Sequence, residues 1–442
     1  MTRQINKVAV MGTGTMGAGI AALCANAGHE VLFMDMPARD GERNAVAAGA
    51  LERMQGGRSP MLKDAEATGR IAIGNFEDDL ARIADCDWIV EVIVEDLAIK
   101  RGFFEKLEAH RRDGSILSTN TSGIMLGAIC EGMPERLRRD IAVTHFFNPV
   151  LVMKLVELVP GADTDPDVID SLARFLGDDL GKGVVWAKDT VNFIANRIGC
   201  FWMLAGMNEA QAALDAGYDL EDIDAAMSAP VGVPPTGLYG LIDLVGLDVM
   251  GLVKENLAAN LPAGDVGHAY AQLPAAVQAM LDAGQIGRKA GGGFYRMSKT
   301  ADGGRLKETY DLKSGAWREA KTAALPEALQ SLDGLLFADD VLGRYAWAVM
   351  GGTLLYAADL ISQISDDVVN IDRAMRWGFN WRQGPFEMLD ALGPERVIAR
   401  LEADGRPVPK MLQVLRDAGA ASFYRNDGTE FLGVDGAWHP VP

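Results

Sequence analysis

The stretch Lys7-Val-Ala-Val-Met-Gly12-Thr-Gly14-Thr-Met-Gly17 decides the fold of the first half of the chain. An apolar run, Lys7 to Met11, leads into a GxGxxG turn, and the small residues of Gly17 to Ala27 predict a helix after it. In such a turn the first glycine allows a tight bend. The second lets a pyrophosphate approach the backbone, and the third lets the helix pack on the strand. The helix N-terminus, with Thr15 and Met16, offers N–H groups to phosphates, so the segment predicts a dinucleotide site.

A second predicted strand, Glu30 to Met34, ends at Asp35, about 20 residues after the turn. A carboxylate at this position accepts hydrogen bonds from ribose hydroxyls and repels a 2'-phosphate, so the pattern favours NAD over NADP. The alternative is a glycine turn in an unrelated sheet, with Asp35 as an ordinary acid at the end of a strand.

Strand-like and helix-like segments alternate through the first half of the chain. Three further apolar runs predict strands of the same sheet: Trp88–Val94, Ser115–Ser118 and Ile141–Thr144. The helical pattern of Ile99–His110 lies between the first two. This alternation predicts an α/β domain of the Rossmann type with a mostly parallel sheet. After about Asp189, long helical patterns dominate, and we expect all-α structure.

The helical part contains an internal repeat. Three short matches occur in the same order in both halves: Ile223–Met227 with Ile371–Met375, Leu241–Gly246 with Met388–Gly393, and Gly293–Arg296 with Ser422–Arg425. Such self-similarity indicates a duplicated domain. We therefore expect a dinucleotide-binding domain at 1–189, a first helical domain at 190–297, a linker with hairpin character at 298–330, and a second helical domain at 331–442, with the repeat matched through 425.

Composition limits the classes of partner. The net charge of -19 disfavours nucleic acid and anionic membranes. The cysteines are widely spaced without a CxxC pair, so we expect no disulfide framework and no metal site. The N-terminal apolar run is too short for a signal peptide, and no apolar stretch is long enough for a membrane span. These features predict a cytoplasmic protein.

The segment Thr144-His-Phe-Phe-Asn-Pro-Val-Leu-Val-Met-Lys-Leu-Val-Glu157 carries the candidate chemistry. His145 follows an apolar strand, which predicts a position at the carboxyl edge of the sheet, where ligands bind in doubly wound folds. Glu157 lies on the next element and is placed to orient the imidazole and to stabilise its protonated form. A single histidine on an apolar strand is also compatible with a purely structural role, and spacing alone leaves both open.

With these residues in view, the sequence resembles the L-3-hydroxyacyl-CoA dehydrogenase family. The resemblance extends over roughly the first 297 residues in the family's order. Its matching segments, besides the glycine turn and His145–Glu157, are Val94–Lys100, Asn120–Ile124, Asp189 with Phe193–Arg197, Leu244–Asp248 and Arg288–Tyr295.

The resemblance implies a role for each matching position. His145 is the general base for a 3-hydroxyl, and Glu157 orients it. Ser122 and Asn196 hold the substrate oxygens and the base. Glu95, Lys100, Ser122 and Lys289 match positions that line the NAD pocket. Ser122 also lies where a helix cap is expected, and Asn196 and Lys100 are compatible with exposed helix faces.

The resemblance further implies oxidation of (3S)-3-hydroxyacyl-CoA to 3-oxoacyl-CoA in fatty-acid β-oxidation, with an acyl-CoA thioester as substrate. Short members of the family carry one helical domain and dimerise through it. We therefore expect the second copy to act as a built-in partner in a monomeric pseudo-dimer, with a homodimer as the alternative. No segment resembles a hydratase, so a separate enoyl-CoA hydratase or thiolase is a candidate partner.

Two other functions remain open at this point. Relatives of the fold oxidise free hydroxy or sugar acids such as L-gulonate, and they share the glycine turn and the histidine. A non-catalytic NAD-binding structural protein is the second alternative, although the joint presence of Ser122, His145, Glu157 and Asn196 argues against it.

Overall fold

A computed structural model describes residues 2–57, 59–300 and 302–442. In this part of the chain, two compact units are separated between Phe193 and Ile194. The sequence places the first boundary slightly earlier, between 189 and 190. The two predicted helical domains do not separate into units of their own, because all residues from Ile194 onward form one unit.

The first unit is built on one sheet. Its strands are β1 Lys7–Met11, β2 Glu30–Asp35, β3 Ile71–Asn75, β4 Trp88–Glu91, β5 Ile116–Thr119, β6 Ile141–Phe146, β7 Leu155–Pro160 and β8 Gly183–Trp186. They lie in the order β3-β2-β1-β4-β5-β6-β7-β8, and all neighbours are parallel except β6 and β7. The predicted Rossmann-type, mostly parallel sheet is therefore confirmed.

The helices of this unit connect its strands. They are α1 Thr15–Asn26, α2 Ala45–Gln55, α3 Ala65–Gly69, α4 Leu97–His110, α5 Leu126–Cys130, α6 Glu135–Asp140 and α7 Pro166–Arg174. The chain order reverses between β1 and β4, which are adjacent in the sheet. In doubly wound folds the crevice at the carboxyl ends of such strands is where ligands bind. The topology thus brings the ends of β1, β2, β4, β5 and β6 to one edge.

The buried centre of the sheet also contains polar links between strands. The Trp88 indole N–H donates to the Ser118 hydroxyl at 2.8 Å, and Ser118 and Thr144 share a hydrogen bond of 2.9 Å. Trp88, Ser118 and Thr144 are fully buried, so an unpaired polar atom here would carry a desolvation cost. These bonds fix β4, β5 and β6 beside one another just below the edge where the site lies.

The second unit is mostly helical. Its helices are α8 Ala195–Asn208, α9 Gln211–Asp215, α10 Leu220–Ala226, α11 Gly237–Val245, α12 Leu247–Asn260, α13 Ala275–Asp282, α14 Leu332–Leu336, α15 Val341–Ala346, α16 Gly352–Leu360, α17 Val368–Gly378, α18 Pro385–Leu392, α19 Pro394–Ala403 and α20 Lys410–Asp417. Its strands are β9 Tyr295–Lys299, β10 Arg305–Asp311, β11 Ala316–Glu319, β12 Tyr424–Arg425, β13 Glu430–Leu432 and β14 Trp438–Pro440.

These strands form two small antiparallel sheets, β9-β10-β11 and β12-β13-β14. The first occupies most of the predicted linker at 298–330. In it the Arg296 guanidinium binds Glu308 at 2.7 Å and lies over the ring of Trp317, 4.1 Å from its centroid. The second sheet has the same two contacts at 2.6 Å and 4.3 Å, made by Arg425, Glu430 and Trp438.

Two buried carboxylates organise the first helical region. Asp224 accepts hydrogen bonds from the backbone N–H of Tyr239 and the hydroxyl of Tyr295, both at 2.7 Å. Asp243 accepts from the backbone N–H groups of Phe294 and Tyr295, at 2.8 and 2.7 Å. Burial raises the pKa of Asp224 to about 7 and that of Asp243 to about 6.

The second helical region contains the same network. Asp372 accepts from the backbone N–H of Phe386 and from the Tyr424 hydroxyl, both at 2.8 Å. Asp390 accepts from the backbone N–H groups of Phe423 and Tyr424, at 2.7 and 3.0 Å. Each donor and acceptor thus has a counterpart at the corresponding place in the other region.

The two helical regions pack directly on each other through α8. The ring of Phe379 covers Gly199, where an added Cβ would lie 2.0 Å from a ring carbon. Trp202 and Trp381 meet edge to face at 5.7 Å, and the Tyr345 hydroxyl donates to the carbonyl of Gly206 at 3.1 Å. Close packing of this kind resists any enlargement of the contacting residues.

In the described residues, no helix has both the length and the apolar character needed to cross a membrane.

Candidate active site

The glycine turn between β1 and α1 has the conformation that a phosphate cradle requires. Gly12 has φ +121°, and a Cβ there would lie 2.4 Å from the carbonyl oxygen of Val92. A Cβ on Gly17 would lie 1.9 Å from the carbonyl oxygen of Gly12, so both positions exclude side chains. A Cβ on Gly14, in contrast, would have no atom within 4 Å. The open space lies directly before Thr15, the first residue of α1, and so fits a pyrophosphate.

Asp35 closes the turn from the end of β2. Its Oδ2 accepts hydrogen bonds from the backbone N–H and the hydroxyl of Thr13, both at 2.6 Å, and its Oδ1 accepts from the backbone N–H of Met36 at 2.7 Å. The carboxylate thus lies against the glycine turn, and in dinucleotide-binding folds an acid at this position binds the adenosine ribose.

Gly12, Gly14 and Asp35 line a cleft of about 700 Å³. Its other walls are mainly apolar and include Met36, Phe76, Val94, Ile99 and Phe103, with Lys106 also on the lining. A cleft with apolar walls, an open phosphate cradle and one carboxylate has the chemical character of a site for adenosine and its phosphates. The residues present therefore fit a bound NAD.

Lys100 lies beneath this site and not on its surface. Its side chain is 1% exposed, and its ammonium pairs with Glu91 at 2.8 Å and with Glu95 at 3.3 Å. Glu91 is fully buried and also accepts from the Thr119 hydroxyl at 2.6 Å and the backbone N–H of Ile93 at 2.7 Å. In this structure Lys100 therefore acts through the carboxylates that it holds.

Glu95 connects the buried lysine to the Ser122 loop. Its Oε1 accepts hydrogen bonds from the Thr121 hydroxyl at 2.5 Å and the backbone N–H of Ser122 at 2.9 Å. Burial alone would raise the pKa of Glu95, but Lys100 and these donors outweigh it and lower that pKa below its ordinary value. Ser122 leaves its side chain exposed, and it caps no helix, because α5 begins at Leu126 after Met125.

His145 and Glu157 lie directly opposite each other across the antiparallel pair β6 and β7. The imidazole Nδ1 is 2.7 Å from Oε2 of Glu157. His145 is 4% exposed and Glu157 is fully buried. The rings of Phe147 and Phe193 lie 4.5 and 5.7 Å from the imidazole. With a carboxylate at Nδ1, the proton is assigned to that nitrogen, which leaves the lone pair of Nε2 for proton transfer.

Two side chains of the first unit accept hydrogen bonds from the backbone of neighbouring loops and strands. The Asn120 side-chain oxygen accepts from the backbone N–H of Phe146 at 2.9 Å. The Asp189 carboxylate accepts from the backbone N–H groups of Leu126 and Gly127 at 2.6 and 2.7 Å. Sequence reasoning gave neither Asn120 nor Asp189 a role, because such backbone contacts leave no spacing pattern.

Glu91, which holds Lys100, was also not among the residues singled out from the sequence. The available signal was an acid inside the apolar run Trp88–Val94, where a buried charge requires a partner. The partner, Lys100, lies on the next element, α4, so the pair forms only when β4 and α4 pack together.

Asn196 and Lys289 belong to the second unit. Asn196 is a partly exposed residue in the first turn of α8. The Lys289 ammonium pairs with the Asp248 carboxylate at 2.7 Å. The structure thus brings together the glycine turn and Asp35, and separately Glu95, Lys100 and Ser122, and His145 with Glu157. Among the described residues, no cluster of histidine, cysteine and acidic side chains could hold a metal ion.

Comparison with protein families gives two matches. Residues 7–190 match the 3-hydroxyacyl-CoA dehydrogenase, NAD binding domain, and residues 193–297 match the C-terminal domain of the same family.

Among curated proteins, a probable 3-hydroxyacyl-CoA dehydrogenase of Bacillus subtilis is 36% identical over all of this chain, which spans 58% of that protein's length. A putative fatty acid oxidation complex trifunctional enzyme of Rickettsia felis is 36% identical over 93% of this chain, which spans 57% of it. A probable 3-hydroxyacyl-CoA dehydrogenase of Deinococcus radiodurans is 35% identical over 67% of this chain and 84% of its own length.

Among solved structures, the (S)-3-hydroxybutyryl-CoA dehydrogenase of Ralstonia eutropha is 27% identical and covers 67% of this chain and 100% of its own, with a TM-score of 0.55. The 3-hydroxybutyryl-CoA dehydrogenase of Escherichia coli covers 93% of this chain and 98% of its own, with a TM-score of 0.67. At 23% identity, the latter likeness shows the fold alone.

Proposed function

The chain belongs to the 3-hydroxyacyl-CoA dehydrogenase family and carries its NAD-binding domain, and from this premise we propose that it oxidises a (3S)-3-hydroxyacyl-CoA to the 3-oxoacyl-CoA. The observation that supports this most directly is the 2.7 Å contact between His145 and Glu157. His145 lies near the carboxyl end of β6, at the edge of the sheet where ligands bind in doubly wound folds. The role belongs to fatty-acid β-oxidation, in line with the name of the Rickettsia felis relative.

In the proposed reaction, Nε2 of His145 takes the proton of the 3-hydroxyl. Glu157 holds the Nδ1 proton and stabilises the imidazolium that forms. A positioned general base of this type contributes on the order of a hundred- to ten-thousand-fold to the rate. Bound NAD supplies the acceptor for the hydride from C3. Ser122 and Asn196 are proposed to hold the oxygens of the substrate.

Most of the proposed cofactor-binding residues lie in the first unit. Gly12, Gly14 and Gly17 with Thr15 and Met16 form the phosphate cradle, and Asp35 accepts from the ribose hydroxyls. Glu95 is proposed to contact the cofactor, while Lys100, because it is buried, fixes Glu95 in place. Lys289, in the second unit, keeps a proposed role in cofactor binding on the resemblance alone.

We also propose that the helical unit is a duplication and that the second copy replaces the dimer partner of shorter relatives. The paired networks of Asp224 with Tyr295 and of Asp372 with Tyr424 support common descent. Because the small sheets repeat the same contacts, the first copy would extend past residue 297 to Glu319, and the second past the last sequence match at 425 to Pro440. Light scattering that shows an obligate dimer formed through residues 331–425 would contradict this proposal.

The test of function is turnover of the purified chain with NADH and acetoacetyl-CoA, followed at the nicotinamide absorbance. L-gulonate with NAD serves as the competing substrate, since related folds oxidise free hydroxy acids. Turnover of the thioester but not of the acid supports the proposal. Activity with L-gulonate alone, or NADH binding without turnover of either compound, overturns it. A separate enoyl-CoA hydratase is the proposed source of the 3-hydroxyacyl thioester, and a separate thiolase is the proposed consumer of the 3-oxoacyl thioester.

A further inference from the structure

Lys182 makes an unusual contact in the first unit. It lies in the turn before β8, and its ammonium donates hydrogen bonds to the backbone carbonyls of Val150 and Met153, the latter at 2.8 Å. Both acceptors belong to the loop between β6 and β7. Burial lowers the pKa of Lys182 to about 8. The burial of an ammonium group costs free energy unless the group is hydrogen-bonded. The two carbonyls offset this cost and form a specific site for the ammonium.

The loop that Lys182 holds is a compact turn. The backbone N–H groups of Val152 and Met153 both bond to the carbonyl of Pro149, at 2.9 Å. Pairing of β7 with β8 places Leu155 beside Gly183 and so fixes the base of the turn independently of the lysine side chain. The Lys182 ammonium therefore acts on the turn itself, and not on the strands that flank it.

The same loop contacts both halves of the proposed site. At its start, Phe147 lies 4.5 Å from the His145 ring. In its middle, Val150 is buried against α1, since a Cβ on Gly19 would lie 2.7 Å from the Cβ of Val150. The loop thus lies between the imidazole and helix α1, so a shift of the turn would change the position of the imidazole relative to that helix.

We propose that Lys182 is a positioning residue of the active site: by clamping the turn at 149–153, it fixes His145 relative to helix α1. This inference rests on the proposed function for its catalytic consequence. A displacement of about 1 Å at a reacting group can cost on the order of a hundredfold in rate, so a clamp at this place has a measurable effect on catalysis.

The test uses Lys182→Met, which keeps the length of the side chain but removes its donors, and Lys182→Arg, which keeps charged donors. Lys63→Met, at an exposed lysine of the same unit, is the matched control. We expect Lys182→Met to lower kcat roughly 10- to 100-fold while KM and the Kd for NADH change by less than about threefold. We expect Lys182→Arg to keep most of the wild-type kcat. Lys63→Met should leave kcat, KM and the Kd for NADH unchanged.

A purely structural role would give a different pattern. It predicts that kcat, KM and the Kd for NADH of Lys182→Met change together with the melting temperature, without rescue by arginine. That pattern, or a kcat equal to that of the wild type, overturns the inference.

Amide hydrogen exchange separates this inference from the proposed function, because it needs no turnover. If the clamp exists, the Val152 and Met153 amides exchange faster in Lys182→Met than in Lys63→Met. Unchanged exchange refutes the clamp. A wild-type protein without thioester turnover but with faster exchange in Lys182→Met would refute the proposed function and leave the clamp standing.

Discussion

His145 and Glu157 are cross-strand partners, with Nδ1 of the imidazole 2.7 Å from Oε2 of the carboxylate. In antiparallel pairs, residues directly opposite each other point to the same face of the sheet. The register of β6 and β7 thus makes the contact a consequence of backbone pairing.

Replacement of the proposed base tests the reaction most directly. We expect His145→Gln to lower turnover of acetoacetyl-CoA by more than about a hundredfold, because the amide cannot exchange a proton at the 3-oxygen. The Kd for NADH, measured by fluorescence, should stay close to that of the wild type. A variant that keeps full activity would show that the base is another residue.

Replacement of its partner should affect rate and not binding. In Glu157→Gln the side chain keeps its size but loses the charge that stabilises the imidazolium, so we expect kcat to fall by roughly 10- to 1,000-fold. Steady-state kinetics with saturating NADH measures this. The His145→Gln variant is the reference, and a double variant no slower than that reference would show that the two residues act as a unit.

Cofactor choice depends on the carboxylate at the end of β2. In Asp35→Ser the acceptor for the ribose hydroxyls and the repulsion of a 2'-phosphate are both weakened. We expect NADH to bind roughly tenfold more weakly, a loss of about 1.4 kcal/mol of binding free energy. We also expect the preference for NADH over NADPH to become smaller. Fluorescence titration with both cofactors gives the ratio. An unchanged ratio would remove Asp35 from the cofactor site.

The repeated network predicts similar costs at matched positions. Tyr295→Phe and Tyr424→Phe each deprive a buried carboxylate, Asp224 or Asp372, of one hydroxyl donor. Each loss should lower the free energy of unfolding by about 1–3 kcal/mol. Thermal melts of both variants, with Tyr218→Phe as a partly exposed control, measure this. A loss confined to one copy would argue against equivalent roles.

The stability of the first unit should depend on pH through Lys182. Burial lowers its pKa to about 8, whereas a lysine in an unfolded chain titrates near about 10.4. Between these values the unfolded chain binds more protons, so the free energy of unfolding rises with pH in that window. Lys182→Met lacks this contribution, and the wild type should gain stability relative to it from pH 8 to pH 10. If the melting temperatures of the wild type and of Lys182→Met change with pH by the same amount across that range, Lys182 is not the group responsible.

Much of the fold is encoded in local sequence. The glycine turn and its flanking apolar runs predict β1, α1 and β2. The turn needs glycine at Gly12 and Gly17 because a Cβ at either position would collide with a backbone carbonyl oxygen. Strands β3 and β8 were not predicted, since Ile71-Ala-Ile-Gly-Asn and Gly183-Val-Val-Trp are short and contain glycine. Strand β7 was predicted only as the element that carries Glu157.

The parts of the site that sequence did not predict depend on contacts between different elements of the fold. Glu91 and Lys100 form a pair only after β4 and α4 pack together, and Lys182 reaches carbonyl groups some 30 residues away. Backbone carbonyls are present at every residue, so no residue type marks them as a binding place. At Lys100 the sequence was also compatible with an exposed helix face, and the fold instead buries the ammonium.

The contact of Phe379 with Gly199 joins the two helical regions of one polypeptide. In an assembly of separate subunits, such a contact loosens on dilution, since its occupancy follows mass action. Tethering converts it into an intramolecular equilibrium with a fixed effective concentration. The apolar face of α8 should therefore stay covered at any expression level, and a cell that makes few copies of this chain loses none of them to dissociation at this surface.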